Sequence, residues 1–204
     1  MSAREDARAT VVQYLRDNDL EFEEVSENVF SFSLPGEKKL QTAVRLDVGP
    51  HALGVHAFVC RRPDENTEKV YRWLLERNLR MYAVALAVDA LGDIYLDARL
   101  PLASVSPEEL DRLLGSVLAY ADESFNVLLE LGFASSIRKE YEWRKLRGEP
   151  THNLDAFKAW LEADSAQMQP GDWVMAIGNP FSLAHTISVG VIRSEEHTSE
   201  LQSH

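Results

Sequence analysis

Residues 40–60 read LQTAVRLDVGPHALGVHAFVC, and their pattern is the clearest structural signal in the chain. Apolar and polar residues alternate through LQTAVRLDV (40–48), and ALGVHAFVC (52–60) follows directly after Gly49-Pro50-His51. Alternation with a period of two places successive side chains on opposite faces of a β-strand, and Gly and Pro favour a turn. The stretch therefore predicts two neighbouring antiparallel strands.

Further extended segments lie on both sides of this pair. LEFEEVS (20–26) and NVFSFSLP (28–35) precede it, so four strands with short loops form an antiparallel meander. YAVALAVDA (82–90) and DIYLDARLP (93–101) flank Leu91-Gly92 and predict a second hairpin.

Helical spacing of apolar residues and helix-start residues predict the remaining elements. An antiparallel sheet followed and preceded by helices is typical of an α+β domain with the helices packed on one face of the sheet. The predicted helices are 3–17, Asp64 to about Arg80, Ser106 to a stop at Gly132, 135–146 and 154–161.

The charge balance bears on the partners. The 204 residues carry a formal net charge of −12, and an acidic surface repels nucleic-acid phosphate and anionic lipid. No run approaches the roughly 20 apolar residues of a membrane span. We therefore expect no nucleic acid and no membrane partner. The N-terminal MSAREDARAT lacks the apolar core of a signal peptide, and the expected location is cytoplasmic.

The single cysteine, Cys60, lies in the apolar run VHAFVC. One cysteine cannot form an internal disulfide, and we expect a small buried hydrophobic residue at a strand end.

Two places are candidates for an interaction surface. Arg61 and Arg62, just before a helix start, could hold an anion or a partner carboxylate, but the favoured interpretation is a solvated loop with an acidic capping turn. Trp143 stands four residues before Arg147, and Tyr141 four before Lys145. On a helix these aromatic rings form a contact surface for a partner, or they pack the helix onto its own domain.

No catalytic, cofactor-binding or metal-binding residue is predicted. His51 and His56 are five residues apart, with no Cys pair or HExxH helix to complete a set of four ligands. Asp89, Asp93 and Asp97 have the spacing of turn and strand-face residues.

At VCRRPDENTEKVYRWLLERNLRMYAVALAVDALGDIYL (59–96) and FNVLLELGFASSIRKEYEWRKLRGE (125–149) the chain resembles the actinobacterial branch of the YbjN family, from about Ala7 to about Trp160. The resemblance implies a fold like the small class I chaperones of type III secretion. That family is described loosely, as sensory-transduction or stress-related regulators, with no enzymatic activity. By analogy with the chaperones, the fold suggests a homodimer.

Residues 163–192, ADSAQMQPGDWVMAIGNPFSLAHTISVGVI, are similar to an internal segment of HtrA-type, trypsin-like serine proteases. In that family the segment lies between the catalytic Asp and the nucleophile, so no residue here matches a triad position. Ser182, His185 and Ser188 are not expected to be catalytic.

The last residues, RSEEHTSELQSH (193–204), resemble a translated sequencing adapter. The expected organisation is a YbjN-like domain over 1–162, a chimeric protease fragment over 163–192 and an adapter-derived tail over 193–204. The join lies between Trp160 and Gln169.

The predicted function is a non-catalytic regulatory or chaperone-like module that binds a protein of unknown identity. Two alternatives remain open. The chain could be a trypsin-like protease remnant, in which case proteolysis would depend on His185. It could instead be a sensor of a small molecule or anion that uses the Arg61 and Arg62 loop, in which case Arg62→Ala would abolish stabilisation by the ligand.

Overall fold

The computed structural model describes residues 2–163 and two further strands, 173–177 and 187–191. The chain divides into two units, Met1–Gly132 and Phe133–His204. In chain order the main elements are α1 (Ala3–Asp17), β1 (Phe22–Ser26), β2 (Val29–Pro35), β3 (Gln41–Val48), β4 (Ala52–Cys60), α2 (Thr67–Asn78), β5 (Ala85–Val88), β6 (Ile94–Pro101), α3 (Pro107–Arg147), α4 (Lys158–Ala163), β7 (Trp173–Ile177) and β8 (Ile187–Val191).

Six strands of the first unit form one antiparallel sheet in the order β1-β2-β3-β4-β6-β5. The first four strands follow the predicted meander. The second hairpin joins the meander through its second strand, because β6 pairs with β4 and places β5 at the far edge. This arrangement brings His56 of β4 opposite Asp97 of β6, two residues far apart along the chain.

One face of this sheet is buried and supplies the core of the unit. Burial alternates strictly along β3 and nearly so along β4, as the sequence pattern predicts. The α+β prediction, an antiparallel sheet with helices, is confirmed. Core residues of the sheet are Phe30, Phe32, Val44, Leu46, Val48, Leu53, Val55, Ala57, Ile94 and Leu96, and those of the helices include Val11, Leu15, Val70, Leu74, Leu110, Val117, Ala121 and Leu128.

Local capping chemistry fixes the starts of two helices. At α1 the Glu5 amide donates to the Ser2 hydroxyl, and the Ser2 amide donates to the Glu5 carboxylate. At α3 the Glu109 amide donates to the Ser106 hydroxyl at 3.3 Å, with Pro107 as the first helical residue.

The helix stop predicted at Gly132 is confirmed as a break in the helical backbone. α3 continues to Arg147 and includes the helix predicted over 135–146, but its backbone leaves helical geometry at Phe133, where φ is −141° and ψ is 15°. The two helices predicted separately therefore meet at a break directly after Gly132.

The break has a physical cause in the loop before α2. The backbone amides of Asp64 and Glu65 donate to the Gly132 carbonyl at 3.0 and 3.1 Å, and the Asn66 side-chain amide donates to the Leu131 carbonyl at 3.1 Å. The last carbonyls of a helical segment need such partners once its own amides stop supplying them. The loop thus acts as the C-terminal cap of the first part of α3.

The same loop departs from the predicted capping of α2. The sequence predicts that side-chain oxygens of residues 64–67 accept the first amides of that helix. The helix does begin at Thr67, but Asn66 accepts no amide with its side chain and has a left-handed backbone (φ 53°).

The second unit contains the end of α3, a 3₁₀ turn (His152–Phe157), α4 and the β7–β8 pair. Leu154, Phe157 and Leu161 are buried, in the region predicted as a short helix over 154–161. β7 and β8 pair antiparallel, with Trp173 opposite Val191. The predicted turn Gly178-Asn179-Pro180 lies outside the described residues.

We predict that Gly132→Ala destabilises the protein. A Cβ atom at this position would lie 2.9 Å from the Cβ of Pro63 and 3.4 Å from Val70 Cγ2, so the capping loop would have to move. The expected loss is about 1–3 kcal/mol in the free energy of unfolding, measured by chemical denaturation.

Gly115→Ala is the matched control, because Gly115 lies on the same helix and a Cβ there would meet nothing within 4 Å. We expect a gain of roughly 0.5–1 kcal/mol, from higher helix propensity. Equal stability changes in the two variants would contradict the close approach of the loop to Gly132.

Candidate functional site

The sheet face opposite the core carries an ordered array of polar and aromatic side chains, which we call the open face. Because residues in register stand side by side across neighbouring strands, the array consists of short rows. The two charged rows are Arg45–His56–Asp97 and Asp47–Gly54–Arg99, and the apolar row is Phe58–Tyr95–Ala87.

His56 and Asp97 form the centre of the open face. The Nδ1 atom of His56 lies 2.6 Å from Asp97 Oδ1, and 40% of the His56 side chain is exposed. A carboxylate at one ring nitrogen holds the imidazole in a fixed orientation and keeps that nitrogen protonated. The other ring nitrogen, Nε2, is then the lone-pair nitrogen of the neutral ring.

Gly54 leaves space beside that second nitrogen. A Cβ atom built on Gly54 would lie 3.4 Å from His56 Nε2 and 3.8 Å from Asp47 Cβ. Any residue with a side chain at position 54 would therefore stand next to Nε2. The glycine keeps the nitrogen uncovered from that side.

The charges around His56 are of both signs. Arg45 stands directly opposite His56, and its Nη2 atom is 3.8 Å from Asp47 Oδ2. Arg99, which is exposed, stands opposite Gly54 on the other side. Two arginines and two aspartates thus stand in the two rows that contain His56 and Gly54.

An aromatic pair borders the charged rows. The rings of Phe58 and Tyr95 meet edge to face, with centroids 5.5 Å apart. Burial, followed by the nearby charges of Asp89 and Asp93, raises the pKa of Tyr95.

Lys39, on the loop between β2 and β3, lies between two aromatic rings. Its Nζ atom is 5.4 Å from the centroid of Phe58 and 5.2 Å from that of Phe125. Burial lowers the pKa of this amine. Asp122 Oδ1 fixes the loop by accepting the amides of Lys38 and Lys39 at 2.6 and 3.0 Å. The cation therefore joins the loop to α3 through cation–π contacts.

The predicted Arg61 and Arg62 pair lies on the loop that caps α3. Arg61 forms a bidentate ion pair with Asp64, with distances of 2.5 and 2.7 Å. The amide of Arg62 donates to Asp93 Oδ1 at 2.7 Å, and its aliphatic stem packs over Gly92, whose φ is +91°. Arg62 is the more exposed of the two.

Trp143 lies in the second unit and is half-buried. The Arg147 guanidinium stands over its ring, 4.8 Å from the centroid, and Lys145 stands over the buried ring of Tyr141 at 5.2 Å. Both aromatic–cation spacings of four residues predicted from the sequence therefore form contacts.

An exposed apolar stripe runs from α2 into the loop after it. Leu75, Leu79 and Tyr82 are 69%, 87% and 61% exposed. The sequence predicts Leu75 as part of a single apolar stripe with Val70 and Leu74, but only the latter two are buried. We call Leu75, Leu79 and Tyr82 the α2 stripe.

Asn78 separates the α2 stripe from the edge strand β5. Its side-chain amide donates to the Leu86 carbonyl at 3.0 Å, and its side-chain oxygen accepts the Leu86 amide at 2.7 Å. These are the backbone groups through which another strand would pair at Leu86. The asparagine therefore closes part of the sheet edge to strand addition.

Two further features concern the described part of the chain, residues 2–163 with the strands 173–177 and 187–191. There, no group of three or more His, Cys, Asp or Glu side chains is arranged to hold a metal ion. None of the helices in that part has the length and apolar character needed to cross a membrane. Ser182 and His185 lie outside the described residues.

Cys60 is buried at the end of β4, as predicted. Burial raises the pKa of its thiol to about 12. Because only the thiolate reacts readily, we predict that the native protein at pH 8 reacts with an aromatic disulfide reagent far more slowly than the unfolded protein does. Rapid stoichiometric labelling of the native chain, followed by absorbance, would show that the thiol is accessible.

The sequence of this chain is similar to a protein-family model and to proteins of mycobacteria. The YbjN family model, described as "Putative bacterial sensory transduction regulator", matches residues 7–130. An uncharacterized protein of Mycobacterium leprae is 56% identical over 124 residues, which cover 61% of this chain and 67% of the relative. An uncharacterized protein of Mycobacterium tuberculosis has the same identity over the same length, covering 68% of the relative.

Solved structures are similar at lower sequence identity. A chain of the ExsC–ExsE complex is 19% identical, with a TM-score of 0.49, and the match covers 63% of this chain and 97% of that one. A chain of the HopA1–SchA chaperone–effector complex is 14% identical, with a TM-score of 0.42, and the match covers 56% and 88%.

The family match includes most of α1, all six strands of the sheet, α2 and the first part of α3. The predicted resemblance extends further, to about Trp160, and its last part lies beyond the matched residues. Because the match spans more than half of the sequence, the chain belongs to the YbjN family.

Proposed function

We propose that this protein is a non-catalytic, protein-binding module of a regulatory or chaperone-like kind, and that its α2 stripe binds a second copy of the chain. The observation that carries the proposal is the exposure of Leu75, Leu79 and Tyr82. Large apolar side chains grouped on a helix surface mark interaction sites in soluble proteins. Membership of a family described as regulators agrees with a binding role.

The structure of the neighbouring edge favours helix packing over strand pairing. Asn78 occupies the outward backbone groups of Leu86, so a partner strand would have to displace two hydrogen bonds to pair there. A partner that covers the α2 stripe with its own apolar side chains does not have to displace these two hydrogen bonds.

The charges beside the stripe suit a two-fold contact. Glu76 and Arg80 are both exposed and flank Leu79 on either side along the chain. An isologous interface places each patch against its own copy, so an axis near Asn78 sets Glu76 of one copy toward Arg80 of the other. Leu75 of one copy then faces the segment that carries Tyr82 of the other.

Leu79→Glu tests the proposed dimer. The substitution puts a charge at the centre of the α2 stripe and should convert the dimer to a monomer, while the fold is retained because Leu79 is 87% exposed. The measurement is the molar mass of the full chain by sedimentation velocity over a range of concentrations.

Leu91→Glu is the matched control, since Leu91 is 74% exposed in the β5–β6 turn, outside the stripe. This variant should remain dimeric. A wild-type chain that sediments as a monomer at all concentrations, or equal weakening by both substitutions, would rule out the α2 stripe as the dimer contact.

We further propose that residues 163–192 come from a separate HtrA-type protease gene and that residues 193–204 come from a sequencing adapter. The support is the string GDWVMAIGNPF and HTISVGVI in the first segment and RSEEHTSELQS in the second. The structure is compatible with a strand pair in the first segment, since β7 and β8 form an antiparallel pair.

Long-read sequencing of the source DNA across codons 150–204 is the test. We expect reads to leave this sequence after about Leu161 and never to contain the tail. Reads that continue unbroken through Gly178-Asn179-Pro180 to His204 would establish a natural fusion.

A further inference from the structure

The open face holds a chemical group that protein binding through α2 does not use. His56 is fixed by Asp97 at Nδ1 with a separation of 2.6 Å, and the side chain is partly exposed. An imidazole whose Nδ1–H is held by a carboxylate presents the lone pair of Nε2 as a nucleophile. This is the orientation that a histidine needs in order to react at a single, defined atom.

Access to that atom comes from Gly54. The position directly beside Nε2 has no side chain, because a Cβ there would already lie 3.4 Å from the nitrogen. Gly54 also stands between Asp47 on β3 and Arg99 on β6 in the same row. No side chain at position 54 therefore stands between Nε2 and a small electrophile.

The neighbouring charges select the kind of electrophile. Arg45 on β3 stands opposite His56, and Arg99 on β6 stands opposite Gly54, so an arginine stands on each side of the β4 segment that carries these two residues. Guanidinium groups bind phosphoryl oxygens with paired hydrogen bonds. They would also offset the repulsion that Asp47 and Asp97 exert on an incoming anion.

We propose that His56 Nε2 accepts a phosphoryl group from a small acyl phosphate. The Nε2 lone pair attacks phosphorus, forming a P–N bond, while the P–O bond to the acyl group breaks and the carboxylate leaves. The Nδ1 proton stays on the ring in its hydrogen bond to Asp97. The Asp97 carboxylate balances the positive charge that the ring gains as the P–N bond forms. The reaction is stoichiometric and consumes one acyl phosphate per chain.

The probe is acetyl phosphate, added to the full-length protein. Intact-mass spectrometry should show the gain of one phosphoryl group, which is lost in mild acid and survives mild alkali, as expected for a P–N bond. Fragmentation should place the group on His56, and His56→Gln should abolish it. The exposed His51 serves as the internal control, and His51→Gln should leave the yield unchanged.

The Gly54→Val substitution tests access to His56 Nε2 separately from the reactivity of the imidazole. Valine suits a β-strand and would cover Nε2 without removing the pair between His56 and Asp97. We expect the labelling rate to fall at least about tenfold, as it does when a reacting group is obstructed, with little change in the melting temperature. Arg45→Gln and Arg99→Gln should also slow labelling while the thermal stability stays near that of the wild type.

Two results would overturn the proposal. One is a phosphoryl group distributed equally among His51, His56 and His152. The other is a Gly54→Val variant that folds normally and is labelled as fast as the wild type. Neither result depends on the dimer proposed above, because the α2 stripe and the open face share no residue.

Discussion

The register of β3, β4 and β6 is the constraint on which the rest of the first unit depends. Because side chains alternate between the two faces of a strand, a slip of one residue would exchange the two sets. Val55 and Ala57 would then leave the core, and His56 would be buried in it. The hydrophobic pattern that forms the core therefore also places His56, Arg45 and Asp97 together on the open face.

The sequence predicts which side chains of a strand lie on each face of the sheet, but it does not predict which strands are neighbours. The alternating pattern of 40–60 is local, and it correctly predicts which residues of β3 and β4 are buried. The contact of His56 with Asp97 requires that β6, rather than β5, lies beside β4. Hydrophobicity cannot distinguish a sheet with β6 beside β4 from one with β5 beside β4, since both strands of the hairpin carry apolar residues. For this reason Asp97 is predicted only as a strand-face residue.

The break in α3 shows a local signal that also serves a tertiary contact. Glycine often follows the last turn of a helix, so Gly132 predicts a stop. In the structure the residue serves a tertiary contact, since its missing side chain admits Pro63 and its carbonyl accepts two loop amides. Capping by a distant loop satisfies the carbonyls at the end of the first helical segment. The same tertiary contact explains why Asn66 does not cap α2 and donates to Leu131 instead.

β5 connects the two surfaces for which function is proposed. From one side Asn78 of α2 binds the backbone of Leu86, and from the other side Leu86 pairs with Leu96 of β6. Ala85, next in the strand, stands opposite Asp97. A phosphoryl group on His56 would add negative charge beside Asp97, which is the group at the end of that row. β5 is one physical connection between the modified open face and the α2 stripe, because this strand is in contact with both Asp97 and Asn78.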